Sequence, residues 1–280
     1  MRSLPEIVVL IRSGGEMASA VAHRLHRSHF KVCLTEVVAP IAVSRGTTFS
    51  EAIFDGTKSV EGTTAELTLS STAAIEEVWS RNNIPILVDP ECEARHLLHP
   101  DILVDARSIK EITDTHMTDA PLVIGLGPGY YAGENCDAVV ETLHDNDLGR
   151  VILNGKTKKD TKQPVIIGGL SSGRVIWAEQ EGVFSTCHQI GEYVKNGQVI
   201  GQLETLDIKA PVDGMIRGLL RNGVRIPSGA KLIEIDPVND CSVCYVIRDK
   251  WRAVAGGVLE AIMLLCNTPE VWISVQAAKK

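Results

Sequence analysis

The sequence has no excess of positive charge. Its 280 residues carry 28 Lys and Arg against 35 Asp and Glu, a formal net charge of −7. That balance argues against a general nucleic-acid binder, because no positive field is present to displace phosphate counterions. The densest basic run, "NGKTKKDTK", reads as a solvated loop. Long apolar runs are also missing. The late stretch "WRAVAGGVLEAIMLLCN" is interrupted by Arg252 and Glu260 and is too short to cross a bilayer, so no membrane partner is expected. The opening "MRSLPEIVVL" lacks the hydrophobic region and cleavage site of a signal peptide, which makes a cytoplasmic location the expectation. Seven cysteines are scattered without a framework pattern and read as reduced thiols. A P-loop, a Ser-His-Asp order and a paired acidic motif are all lacking.

What is present is a globular composition, 44% hydrophobic and 22% charged, long enough for one large domain or two ordinary ones. Over residues 1–150, short apolar runs alternate with helical patterns: "EIVVLI", "KVCLTEV", "IPILVD", "DILVDA" and "PLVIGL" as strands, "EMASAVAHRLHRS" and "TAAIEEVWSRN" as helices. Strands this apolar are expected to be covered on both faces of a parallel sheet. From residue 151 the pattern turns to short strands and glycine turns. "GVFSTCHQIGEYVKNGQVIGQL" and "GMIRGLLRNGVRIPSGAKLIEI" repeat each other at a constant offset, pairing Gly182 with Gly214, Gly191 with Gly223, Gly197 with Gly229 and Leu203 with Ile235. This predicts a small all-β sandwich or barrel with pseudo-twofold symmetry over 151–240. Residues 241–280 are read as an amphipathic helix and tail that pack on the first domain. Gly256 and Gly257 interrupt that helix, which suggests that another backbone or a ligand approaches closely there.

The candidate site begins at "IRSGGEMA". A dinucleotide turn wants glycine at three places; here Ser13, Gly15 and Ala18 stand there, with a glycine displaced to Gly14. Glu36, at the end of the second strand, is spaced to reach a ribose. A plain strand-helix turn is the alternative. "ILVDARSIK" puts Asp105 and Arg107 at a strand's carboxyl end, where open α/β sheets bind ligands. "IGLGPGYYAGENC" offers Gly127, Pro128 and Gly129 in a glycine-rich turn whose amides could face an anion. His23, His26 and His29 share a helical face, but no acidic or cysteine ligand is tied to them by spacing, so no metal is expected. The lone "CSVC", Cys241 to Cys244, has no second pair for zinc and reads as structural, with a sulfur or selenium relay through it or Cys136 as the minority reading.

The blocks "MASAVAHRLHR", "FSEAIFDG", "VEGTTAE", "VIGLGPGYYAG", "DLGRVI", "APVDGMIRGLL" and "GGVLEAI" together resemble the YqeB-like accessory proteins of selenium-dependent molybdenum hydroxylase systems. The resemblance runs from about Val8 to about Met263. Where that family has a Gly-Ala-Gly-Asp-Leu-Ala turn, this chain has Ser13, Gly14, Gly15, Glu16, Met17 and Ala18. The resemblance implies a Rossmann-like first domain akin to XdhC-type chaperones and a role in maturing a molybdenum hydroxylase, the client partner. A nucleotide-containing cofactor, NAD(P) or molybdopterin cytosine dinucleotide, would then lie on Gly14, Gly15, Glu16 and Met17. Glu36 would meet its ribose, and Arg107 and Gly127 to Gly129 would line the far side. The repeat looks like a biotinyl/lipoyl-type barrel-sandwich, but Asp207 falls where lipoyl domains put lysine, so neither biotin nor lipoate is expected. An NAD(P)-dependent oxidoreductase and a non-catalytic scaffold are the rival readings, and a homo-oligomer is compatible with all of them.

Overall fold

The computed structural model describes residues 6–108, 114–161, 166–170, 172–238 and 240–266; the C-terminal tail lies outside them. The chain divides into two compact units. One comprises Met1–Val38, Phe49–Thr161 and Ile247–Lys280, the other Ala39–Thr48 and Lys162–Val246.

The first unit is built on nine strands: β1 (Val8–Arg12), β2 (Lys31–Glu36), β3 (Thr57–Val60), β4 (Thr63–Leu67), β5 (Ile84–Val88), β6 (Ile102–Asp105), β7 (Leu122–Leu126), β8 (Ala138–Val140) and β9 (Val151–Ile152). They form one sheet in the order β3-β4-β5-β2-β1-β6-β7-β8-β9. Strand side chains alternate between faces. Val9, Ile11, Val32, Leu34, Ile84, Ile86, Ile102 and Val104 point into one core, shared with α1 (Glu16–Arg27) and α5 (Asp249–Cys266). Leu10, Cys33, Leu87, Leu103 and Val123 point into the other, with Ile75 of α3 (Thr72–Ser80) and Ala94 of α4 (Ala94–Leu98). A short α2 (Ala52–Asp55) leads into β3.

The expected Rossmann-like parallel sheet is corrected by this topology: the sheet is mixed. β3 runs antiparallel to β4, and β9 antiparallel to β8. The first reversal has a local cause. Glu61 and Gly62 both take positive φ, 45° and 81°, the two-residue turn that matches strand twist in a hairpin. In addition, the connections from β6 to β7 and from β7 to β8 hold no α-helix among the described residues, so the doubly wound alternation stops halfway across the sheet.

The second unit holds β10 (Val175–Trp177), β11 (Gly182–Ser185), β12 (Tyr193–Val194), β13 (Val199–Leu203), β14 (Leu206–Lys209), β15 (Gly214–Leu219), β16 (Arg225–Ile226) and β17 (Lys231–Asp236). They make two four-stranded antiparallel sheets, β10-β17-β15-β12 and β14-β13-β11-β16. The expectation of a biotinyl/lipoyl-like barrel is corrected to these two sheets, each with its own open edges. The internal repeat organises them. Strands β11, β12 and β13 correspond to β15, β16 and β17, and each lies in the opposite sheet from its counterpart. The turn glycines correspond too: Gly191 and Gly223 have φ of 95° and 81°, Gly197 and Gly229 82° and 78°. The repeat also starts earlier than the sequence suggests, because β10 against β17 matches β14 against β13.

In α5 the two adjacent glycines differ. A Cβ on Gly257 would meet the Gly149 carbonyl oxygen at 2.1 Å and Val140 Cγ1 at 2.8 Å, whereas one on Gly256 meets nothing within 4 Å. Backbone cannot yield as a side-chain end can. Gly257→Ala is therefore expected to destabilise the protein by about 1–3 kcal/mol. Gly256→Ala should stabilise it by up to about 1 kcal/mol through helix propensity. Opposite displacements of the two denaturation midpoints check this; equal ones refute it.

Candidate functional site

The polar residues that end the central strands converge. Parallel strands buried on both faces leave their carboxyl ends as the place where polar side chains can gather, and ligands bind where the strand order reverses. Here the order runs outward from β1 through β2 to β5, then returns across β1 to β6. Arg12 and Asp105 end the two strands at that reversal and stand opposite each other in register.

Two cations and two anions form a network there. Arg12 Nη1 donates to Thr115 Oγ1 at 2.9 Å and to Asp114 Oδ1 at 3.2 Å, and its Nη2 donates to Asp114 Oδ2 at 3.0 Å. Arg107 donates from Nε and Nη2 to Asp105 at 3.0 and 2.7 Å, and from Nη2 to Asp114. Thr115 closes the ring by donating to Asp105. Burial pushes the Asp105 carboxyl up, but Arg107, the Thr115 hydroxyl and Arg12 outweigh it and hold the group below its ordinary value. Asp114 is likewise held low: Arg12 and Arg107 overcome its partial desolvation.

A cavity of about 230 Å³ opens beside this network, lined by Arg12, Ser13, Glu36, Asp89 and Arg107 among others. Glu36 is poised in the opposite direction from the aspartates. Burial raises its pKa, against hydrogen bonds from the Gly14 and Val37 amides and the Ser13 hydroxyl. Asp89 accepts the amides of Glu93 and Ala94 and so tethers the start of α4. Ser13 takes φ of 98°, a conformation that favours glycine. Its amide donates to Thr35 O at 2.8 Å, and its Oγ accepts the Gly15 amide at 3.0 Å. The position that a dinucleotide turn gives to glycine thus does need an unusual backbone here, with serine held in it.

Of the residues chosen from sequence, Ser13, Glu36 and Arg107 line the cavity, and Asp105 lies beneath them, fully buried. Gly14 and Gly15 are adjacent, but the protein itself engages their amides: Gly14 N–H donates to Glu36 Oε2 at 2.7 Å and Gly15 N–H to Ser13 Oγ. Gly14 is small because its own chain crowds it. A Cβ there would meet Ile86 Cδ1 at 2.9 Å and Ser50 N at 3.0 Å, and the Ser50 amide donates to the Gly14 carbonyl. Glu16 faces Arg248 at 3.0 Å, and Met17 is buried in the core. Gly127, Pro128 and Gly129 are not among the lining residues; the Gly127 amide donates to Val140 O. Arg12, Asp89, Asp114 and Thr115 escaped the sequence reading. The first two carried a signal: each is the first charged residue after an apolar strand.

These contacts overturn the expected cofactor-handling role. A phosphate cradle needs bare amides, and here they are closed by Glu36 and Ser13. The same closure leaves the NAD(P) and molybdenum-cofactor readings without the amide cradle on which both were built. Of the relay thiols, Cys136 and Cys244 are buried, whereas Cys241 is exposed. Burial pushes Cys136 up to about 12, which disfavours the reactive thiolate, and Cys244 is buried against Met215 and Ile216. His23, His26 and His29 assemble no metal-binding group, and none is found among the described residues. No helix among them is long and apolar enough to cross a membrane.

The network predicts an acid dependence with a definite sign. A carboxyl with a depressed folded pKa stabilises the fold above its unfolded value, and that contribution is lost as pH falls through the folded one. Asp105→Asn leaves two buried or half-buried arginines with less compensation, expected to cost about 3 kcal/mol at neutral pH. The gap from the parent protein should narrow once pH drops below the ordinary Asp value of 3.8. Urea unfolding of both proteins across acid pH measures it; a gap constant with pH contradicts the assignment.

No family model matches the chain. Among solved structures, a succinylglutamate desuccinylase/aspartoacylase from Rhodobacter sphaeroides is 21% identical over 23% of this chain and 22% of that one, with a TM-score of 0.20. The ectoine utilization protein EutE from Ruegeria pomeroyi is 11% identical over 82% of this chain and 84% of its own, with a TM-score of 0.27. An aspartoacylase family protein from Mesorhizobium loti is 12% identical over 83% and 86%, again with a TM-score of 0.27. Likeness at these scores assigns neither fold nor activity. The sequence comparison is far closer: the chain is 41% identical over 260 residues to the uncharacterized protein YqeB of Escherichia coli strain K12, covering 93% of this chain and 48% of that protein. Nearly all of the chain is therefore similar to that protein, and it spans about half the length of that relative.

Proposed function

We propose that the sheet unit is a receptor for a small carboxylate-bearing molecule, held in the cavity at the carboxyl ends of β1, β2, β5 and β6. One observation carries this reading. Arg12 lines the cavity and is 3% exposed, yet its Nε–H has no acceptor. A buried donor left unpaired costs about 1–3 kcal/mol, and such a group calls for an explanation such as an acceptor brought by a ligand. A guanidinium suits a carboxylate because its planar donors match the two oxygens. The strained Ser13 backbone on the same wall fits a site whose geometry serves a bound molecule.

The size of the space narrows the class. A cavity of about 230 Å³ corresponds to roughly eight water volumes, below the range of drug-sized ligands. Glu36 and Asp89 sit on the same wall as the arginines, so an ammonium group on the ligand would find a carboxylate within the site. Amino acids and short dicarboxylates are the compounds to compare.

Isothermal titration of the full chain with such a panel is the test. A saturable heat with at least one carboxylate is expected. Arg12→Lys keeps the charge toward Asp105 and Asp114 but removes the Nε donor; it should weaken binding roughly ten-fold. Absence of binding across the panel, or equal affinity in Arg12→Lys, rejects the proposal.

A further inference from the structure

A second cavity, of about 270 Å³, lies on the helical face of the same unit, where α1 meets the start of α5. Its polar wall is made by His23, Arg24, Arg27, Ser28 and Arg252. Three arginines around one cavity are unusual on a chain of net charge −7, since like charges gathered in one place repel. Their internal compensation is partial. Arg252 pairs with Glu61 of the β3–β4 turn, and Arg24 Nη2 donates to the Arg252 carbonyl at 3.2 Å. Arg27 is exposed and has no ion-pair partner among the described residues.

His23 supplies an independent observation. It is 4% exposed, lines the cavity, and its Nε2 has no hydrogen-bond partner. The nearest carboxylate oxygen, Glu61 Oε2, stands 3.9 Å away, beyond hydrogen-bond reach. An oxyanion in the cavity would favour the protonated, donating ring and would draw the three guanidinium groups together rather than apart.

We infer that this cavity is a second binding site, for a tetrahedral oxyanion such as a phosphate or sulfate group, held by Arg24, Arg27, Arg252 and His23. The site is separate from the carboxylate cavity and shares no residue with it. Its volume exceeds that of a bare ion, which leaves room for a small group attached to the phosphate.

The experiment is thermal unfolding and calorimetric titration of the full chain with sodium sulfate, inorganic phosphate and glycerol phosphate, each against sodium chloride at matched ionic strength. Saturable stabilisation that chloride does not reproduce is expected. Arg27→Gln, at an exposed and unpaired position, should unfold like the parent in chloride yet bind sulfate roughly ten-fold more weakly, and Arg27→Lys should recover part of the loss. The response should persist in Arg12→Lys, which sets it apart from the first cavity. In the parent protein, the His23 ring resonances should move as sulfate is added. Tighter binding of glycerol phosphate than of inorganic phosphate would support an organic phosphate as occupant, and the reverse would support the free ion. Equal effects of sulfate and chloride, an unchanged affinity in Arg27→Gln, or a static His23 ring overturns the inference.

Discussion

The turn between β1 and α1 is closed by its own chain, and the rest of the sheet unit depends on that closure. Glu36 takes the Gly14 amide, Ser13 Oγ takes the Gly15 amide, and the Gly14 carbonyl accepts both the Ser50 amide and the Ser19 hydroxyl. Ser19 Oγ in turn receives the Phe49 amide at 2.8 Å. Each bond ties a group that would otherwise be a buried orphan, and together they fasten the start of α1 to the segment that re-enters the unit at Phe49. A glycine-rich turn after a strand suggests an anion site from a distance. At atomic range it is a joint between segments, and the open chemistry moves one residue back to Arg12.

That shift is electrostatically consistent. Asp105 and Asp114 balance Arg12 and Arg107, so the network carries little net charge, and its inner pair, Arg12 and Asp105, stays buried while Asp114 reaches the surface. A network of this kind stabilises only when its members are satisfied. A single unmatched N–H, that of Arg12 Nε, costs far less than an unmatched buried charge and is where another molecule can enter. Glu36, pushed up by burial, and Asp105, pulled down by its partners, lie near each other with opposite acid behaviour.

Much of the sheet unit was legible in the sequence. The strands from "EIVVLI" to "PLVIGL" are found where their apolar runs place them, because burial on both faces leaves a strong compositional mark. The direction of the edge strands was not legible. It rests on the Glu61-Gly62 turn, whose φ values cannot be seen in composition. In the site, Ser13, Glu36, Asp105 and Arg107 could be picked out by their positions after strands. Arg12 and Asp89 obey the same rule, but a charge that closes an apolar run also reads as the end of burial. Asp114 and Thr115 reach the site through a loop, which carries no periodicity. The repeat of the second unit was visible through its turn glycines, which are fixed by backbone geometry. Its first strand was hidden because Val175-Ile176-Trp177 and Asp207-Ile208-Lys209 share one apolar residue, Ile176 with Ile208, and side-chain identity is free to drift where only the ladder is retained.

The exchange of strands between the two sheets of the second unit has a consequence for how that unit can be divided. β10 and β12 complete the sheet of β15 and β17, and β14 and β16 complete the sheet of β11 and β13, so each copy of the repeat lends two strands to its sibling. Severed between β13 and β14, neither fragment would own a whole sheet, and each would display raw ladder edges that only the missing piece fits. Co-produced fragments of this unit would therefore find one another and reassemble, whereas either alone would be sticky and short-lived.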